Sequence, residues 1–402
     1  MTNRQLFLDS LAQTSDFPLM LEIEHAEGVW MTSTDGKRYL DLISGIGVSN
    51  VGHRHPKVVN ALKEQADKFL HLMVYGEFVQ TPQVRLAEKL TSTLPKHLDN
   101  IYLLNSGSEA VEGALKLAKR YTGRTQMLSC RNAYHGSSHG ALSVSGDEKF
   151  KRKFRPLLPG VGHIHYGAFS DLKKIDELTA CVIIETVQGE AGVIHACTNY
   201  FKALRARCTE VGALLILDEI QCGFGRTGKF WAFEHFDITP DILLAAKGMG
   251  GGMPIGAFIS SREIMSVFKD NPILGHISTF GGHPMSAVAS IATIEIIHEE
   301  KLLDQVEHKA QLFHDQLKHP RIKSIRNVGL MMAVEMESFD FLKAVIDKAL
   351  ELGLLTDWFL FNDCSMRIAP PLIISEEEIK KACKMILQAL DKVDQSFFRS
   401  DS

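Results

Sequence analysis

Lys247 has the most to offer chemically of any residue in this chain. It follows the apolar stretch 242–246 and precedes Gly248-Met249-Gly250-Gly251-Gly252. A lysine held among apolar neighbours has a lowered pKa, and its free amine can form a Schiff base with a carbonyl partner. The glycines behind it leave room for a bulky one. Most lysines are simply solvated, so Lys247 needs partners to carry meaning. Asp218 closes the apolar run 214–217. Opposite a heteroaromatic ring nitrogen, such a carboxylate would keep the nitrogen protonated and make the ring an electron sink; at a helix start it would be one more cap. Asn105-Ser106-Gly107-Ser108-Glu109 joins an apolar run to a helical one. A glycine and the free N–H groups of a helix start suit a phosphate, while Ser106 with Glu109 equally suits an ordinary N-cap. Tyr134-His135-Gly136 offers a flat aromatic for stacking on a ring, a pattern that alone is more often packing.

The surrounding elements explain how these residues could meet. Residues 101–104, 181–185, 214–218 and 242–246 read as short apolar strands, with helical periodicity over 56–71, 82–93, 110–121 and about 199–211. Continuous apolar strands alternating with helices predict an α/β fold, a mostly parallel sheet covered by helices. Chemistry in such sheets gathers at the carboxyl ends of the strands. Four of these ends carry Ser106, Glu185, Asp218 and Lys247, and that recurrence is the main clue to function. After Thr279-Phe280-Gly281-Gly282 the pattern changes to long helices at 284–300 and to about 318, short strands over 323–336, a helix at 339–353, a strand ending at Arg367 and a last helix at 376–393. Three parts are expected: an N-terminal arm at 1–50 with a hairpin around Asp35-Gly36, a large domain at 51–282, and a smaller α+β domain at 283–402.

Composition narrows the classes further. A length of 402 residues suits two domains, and a net charge of -4 spread along the chain argues against nucleic acid as a partner. The basic cluster 149–155 is short and reads as a solvated loop or helix end. Seven cysteines at irregular spacing form neither a disulfide framework nor a metal motif and suit a cytoplasmic protein. No signal peptide and no run of about 20 apolar residues is seen, so no membrane is expected. Two patterns mislead. Gly223-Phe224-Gly225-Arg226-Thr227-Gly228 has the spacing of a dinucleotide loop, but no amphipathic helix follows it. His53-Arg54-His55 and His135 with His139 lack a carboxylate or cysteine at metal-binding spacing, so no metal is expected.

Together the pieces resemble the class III aminotransferases, pyridoxal-phosphate enzymes of fold type I. The likeness runs from Asp35-Gly36-Lys37-Arg38-Tyr39-Leu40-Asp41 and Gly52-His53-Arg54-His55-Pro56 to Arg367-Ile368-Ala369-Pro370-Pro371-Leu372. Its most specific stretch is Asp218-Glu219-Ile220-Gln221-Cys222-Gly223-Phe224-Gly225-Arg226-Thr227-Gly228, with Lys247 beyond it. The resemblance implies an enzyme that moves an amino group from an amino acid or ω-amino donor to a keto acid such as 2-oxoglutarate. It implies that Lys247 carries pyridoxal 5'-phosphate and that Asp218 pairs with the ring nitrogen. Ser106, Gly107 and Ser108 would seat the phosphate, Tyr134 and His135 would flank the ring, and Gln221 and Glu185 would support the ring hydroxyl. Thr279 would reach the phosphate in the other subunit of a homodimer. Arg367 would grip the substrate carboxylate, with Glu190 as its gate and Ile46 nearby. Where related enzymes carry Arg-Thr for a second carboxylate, this chain has Ser137-Ser138. A substrate with one carboxylate, or an amine with none, is therefore open. An aminomutase or racemase on the same scaffold is the nearest alternative; a nicotinamide dehydrogenase and a non-catalytic protein are more distant ones.

Overall fold

A computed structural model describes residues 1–400, with side chains to residue 395. At its centre is a seven-stranded sheet in the order Asn100–Leu104, Gly256–Ser260, Ile242–Ala245, Leu214–Asp218, Thr179–Glu185, Gln126–Cys130 and Val161–Ile164. Gly256–Ser260 runs against both of its neighbours, and the other strands are parallel. Every residue of Thr179–Glu185 and Leu214–Asp218 is buried. Both faces must therefore be covered, which is why these strands read as unbroken apolar runs. Their register sets Glu185 directly beside Asp218.

The helix Gly107–Thr122 shows how the cover is built. Ala110, Val111, Ala114, Leu115, Leu117 and Ala118 recur at helical spacing and pack against the sheet. Ser106 caps its start through Oγ, which accepts from Glu109 N at 3.2 Å, and Gly123 ends it with φ +70°. On the other side, Pro284–Glu299 packs against Pro56–Ala66 and Thr81–Thr91. Both Pro56 and Pro284 sit at the first turn, where the missing N–H costs nothing.

The C-terminal part forms an antiparallel sheet ordered Ser324–Val328, Met331–Glu335, Asn362–Ile368, Trp358–Phe359, flanked by Leu302–Gln316, Phe339–Glu351 and Glu376–Ser400. The expected hairpin joins Trp30–Ser33 to Arg38–Asp41 around Gly36, whose φ is +83°. Ile23–Glu27 extends it on one side. On the other, Leu354–Leu355 pairs in parallel with Arg38–Asp41, so the N-terminal strands share a sheet with the C-terminal part.

Between hairpin and large sheet the chain makes a turn of the opposite hand. Ser44, Gly45, Ile46 and Gly47 have φ of +53°, +60°, +65° and +74°, and Gly47 N and Val48 N donate to Ile43 O and Ser44 O at 3.1 and 2.7 Å. These are the hydrogen bonds of one left-handed helical turn, which costs about 1–2 kcal/mol per L-residue. Two glycines halve that cost, and Asp41 offsets the rest: its Oδ1 accepts from Ile43 N and Ser44 N, while Oδ2 accepts from His53 Nε2 at 2.8 Å. Ser44 Oγ then donates to Ala369 O at 2.7 Å, tying the turn to the segment that follows Arg367.

The glycine-rich stretch 223–228 is a series of turns leading to the short 3-10 helix Ala232–His235. It opens no helix for a dinucleotide. His53 and His55 pair with Asp41 and Glu300. Among the described residues no helix is long and apolar enough to cross a membrane.

Candidate active site

Ser106, Gly107, Ser108, Tyr134, His135, Glu185, Glu190, Asp218, Gln221 and Lys247 line one cavity of about 410 Å³ at the carboxyl ends of the central strands. The first wall is the start of the Gly107–Thr122 helix. Its leading N–H groups have no acceptor inside the helix, and the dipole there favours an anion. Gly136, at φ +125°, lies so close that a Cβ there would fall 2.2 Å from Ser108 Oγ. The absence of a side chain lets the Tyr134–Gly136 loop lie directly on the helix start, where Ser137 N donates to Ser108 Oγ at 3.3 Å.

The second wall is acidic. Asp218 is buried; Ile220 N donates to its Oδ1 at 3.0 Å, and His135 Nδ1 donates to its Oδ2 at 2.7 Å. His135 Nε2 is buried with no hydrogen-bond partner. Glu185 accepts from Tyr134 N and Gly189 N, each at 3.1 Å. Burial and the neighbouring Asp218 push the Glu185 carboxyl well above the usual carboxylate range, against those two donors.

Lys247 stands where the strand Ile242–Ala245 has just ended, with φ +47°. A non-glycine residue in that region is strained, and such strain gathers at functional sites. Burial lowers the amine below its ordinary 10.5, while the carboxylates of Glu190 and Asp218 act in the opposite direction. The cavity thus joins a low-pKa amine, a fixed carboxylate, an anion seat and an aromatic ring. That set suits an aldehyde-bearing, phosphorylated heteroaromatic ring: the amine for the aldehyde, the helix start for the phosphate, the carboxylate for the ring nitrogen.

Arg367 lies beyond Gln221. With Ile46 it lines a void of about 10 Å³, separate from the main cavity and sharing Gln221 with it. Its NH1 and NH2 donate to Glu190 Oε1 and Oε2 at 2.9 and 3.0 Å, a two-pronged pair with both partners buried. Burial alone would raise Glu190, but Arg367 beside it wins and holds the carboxyl at about 2. Removing either partner of such a pair costs about 3–5 kcal/mol. Arg367 Nε also donates to Asp357 Oδ1 at 2.8 Å, and the guanidinium sits 4.5 Å over the Phe359 ring. If Glu190 leaves, these two contacts still fix the arginine.

Thr279 lines neither space; it is exposed in a bend. Asp357, Phe359, Leu360 and Phe361 carried no sequence signal, because they reach Arg367 and Glu190 only when Trp358–Phe359 and the turn after it fold back on Asn362–Ile368.

A family model described as Aminotransferase class-III matches residues 11–390. The chain is 40% identical over 381 residues to the acetylornithine aminotransferase of Methanopyrus kandleri, covering 94% of this chain and 95% of that one. The ornithine aminotransferase of Toxoplasma gondii superposes with a TM-score of 0.91 at 29% identity, covering 98% of this chain and 97% of that one. A second structure of the Toxoplasma enzyme, described with partial occupancy of PLP at the active site, superposes at 0.90 with 30% identity over 98% and 94% of the two chains.

Proposed function

Because the chain belongs to the class III aminotransferases, we propose that its pyridoxal phosphate is held covalently by Lys247 and that the residues around that amine divide the work of amino transfer. The protein is a pyridoxal-phosphate-dependent enzyme that moves an amino group from an amino donor to a keto acid. When bound, the cofactor supplies an electron sink for the pair left behind as the donor carbon loses its proton. Lys247 Nζ would take that proton as the base, and burial lowers its pKa in the direction that favours this role. Asp218 holds a proton on the ring nitrogen; His135 and Ile220 N–H fix its two oxygens for that task. Ser106, Gly107 and Ser108 seat the phosphate, Tyr134 covers the ring, and Gln221 with Glu185 supports its hydroxyl. Arg367 orients a substrate carboxylate once Glu190 has swung aside, and Ile46 shapes that end of the pocket.

The reading is supported above all by the convergence of Lys247, Asp218 and the Gly107 helix start on one cavity. Borohydride reduction of the holoenzyme followed by peptide mass spectrometry tests it. The phosphopyridoxyl mass is expected on the peptide containing Lys247 and is expected to vanish in Lys247→Ala. The label on another lysine would sink the assignment.

The working unit is a homodimer with Thr279 reaching its partner's phosphate. In support, Ser278 and Gly281, on either side of Thr279 in the chain, line one groove of about 330 Å³ with Val74, Tyr75, Gly76 and Phe78. In the same or neighbouring stretches of chain Leu70, Phe78, Val79, Ile273, Ile277 and Phe280 are exposed, apolar side chains that a subunit contact would cover. The enzyme works in the cytoplasm, a reading supported by seven free cysteines.

A further inference from the structure

Glu190 has a second set of partners besides Arg367. Its Oε2 accepts from Leu360 N at 3.1 Å, and its carbonyl accepts from Phe361 N at 3.0 Å. The turn between Trp358–Phe359 and Asn362–Ile368 is therefore tied to Glu190 by one bond to the side chain and one to the main chain. That turn carries the Phe361 ring. It stands 6.4 Å from the Tyr134 ring at 48° and 5.2 Å from the Phe150 ring at 77°, edge to face. Tyr134 belongs to the cavity wall, and Phe150 is 41% exposed. The three rings thus form an apolar rim leading from the cavity outward. Beside it Ser137 offers only a hydroxyl, 3.3 Å from Tyr134 OH. Lys247 is the one cation among the residues that line the cavity.

The two substrate types must treat this arrangement differently. A carboxylate that takes Arg367 has to displace the Glu190 side chain, and Leu360 N–H loses its acceptor at the same moment. A donor with an apolar substituent and no carboxylate leaves every one of these bonds in place and covers the rings. We propose that Phe361 is a specificity-determining residue: with Glu190 on Arg367 it holds a closed aromatic rim that selects primary amines bearing an apolar, arylalkyl-type substituent as amino donors. The proposal rests on the reading of the Lys247 cavity as the amino-transfer site. The reaction balances without an added oxidant, since R–CH2–NH2 and a 2-oxo acid give R–CHO and an amino acid. The donor carbon loses two electrons and the keto carbon gains them.

The test uses the cofactor-loaded full chain with 2-phenylethylamine, ornithine and 4-aminobutyrate as donors and 2-oxoglutarate as acceptor. The arylalkylamine is expected to exceed both charged donors in kcat/KM by about ten-fold. Phe361→Ala should lower its kcat/KM by about ten-fold, mainly through KM. Phe361→Leu should restore part of that loss, and the half-reaction with 2-oxoglutarate should stay within about two-fold. Calorimetry with N,N-dimethyl-2-phenylethylamine, a tertiary amine that cannot bond to the cofactor, gives a readout independent of turnover: it should bind the parent and not Phe361→Ala. Preference for ornithine or 4-aminobutyrate, or equal slowing of both half-reactions in Phe361→Ala, overturns the proposal. Binding of the tertiary amine without amino transfer from any donor would instead refute the assigned chemistry and leave the rim standing.

Discussion

Asp218 and His135 show what a single residue's surroundings add to its type. Both were visible in the sequence, Asp218 as a strand end and His135 as a neighbour of Tyr134. Their 2.7 Å bond was not, because the two lie 83 positions apart and meet only when the sheet forms. The bond matters because it fixes one oxygen of Asp218 while Ile220 N fixes the other, leaving the carboxylate no freedom to rotate. Asp218→Asn keeps the shape and removes the charge. It is expected to slow the donor half-reaction by about 10²–10³-fold, the loss typical of one pre-set electrostatic group, while cofactor stays bound. Stopped-flow absorbance of the loaded variant measures both; an unchanged rate would remove Asp218 from the chemistry. Lys247 was legible for a different reason. Its glycine neighbours and apolar approach are local in the sequence, whereas its strained φ of +47° is seen only in the structure.

At the scale of elements, the strands that lead to Glu185, Asp218 and Lys247 could be read because burial on both faces writes an unbroken apolar run. The edge strand Asn100–Leu104 before Ser106 is mostly half-buried and was legible from its apolar residues alone. Gly256–Ser260, the reversed strand, and Gln126–Cys130 gave no such signal: one begins on glycine and the other mixes polar residues into a short span. Glu219, next to Asp218, joins the strand ends to the turn beyond. It is fully buried; Ala232 N donates to one oxygen and Phe233 N and Thr186 Oγ donate to the other. Burial raises its carboxyl to about 7, against those donors. A free glutamate lies near 4.5, so between the two values the folded protein keeps a proton that the unfolded chain has lost. Stability from this group is therefore full below about 4.5 and falls as pH rises toward 7, by about 3 kcal/mol in all. In Glu219→Gln the thermal midpoint should drop at every pH, because an amide donor now meets a donor. It should also change less between pH 5 and 8 than in the parent. A calorimetric scan across that range decides it, and an unaltered slope would assign the buried proton to Glu185.

The whole molecule is where sequence reading had least to work with. Of the three N-terminal strands, Arg38–Asp41 pairs with Leu354–Leu355, a contact no local pattern encodes. Thr279 lies in an exposed bend outside its own chain's cavity, as a residue serving the neighbouring subunit would. A mixing experiment tests that sharing. Lys247→Ala and Thr279→Ala proteins, exchanged into mixed dimers, should recover activity beyond the sum of the parents, since one of the two shared sites then has both residues. Recovery absent from verified mixed dimers would place Thr279 in its own subunit's service. The left-handed turn at Ser44–Gly47, laced to Ala369 through Ser44, also limits how this catalyst can be re-tailored. Position 46 lines the small void beside Arg367 and invites saturation by anyone seeking new substrates. Its backbone φ is +65°, so a library there is sorted by handedness before it is sorted by size: glycine, asparagine and aspartate enter at low cost. Bulkier replacements carry the same strain Ile46 already bears, and only those that fit the small void it lines with Arg367 and Met331 will be recovered as folded protein.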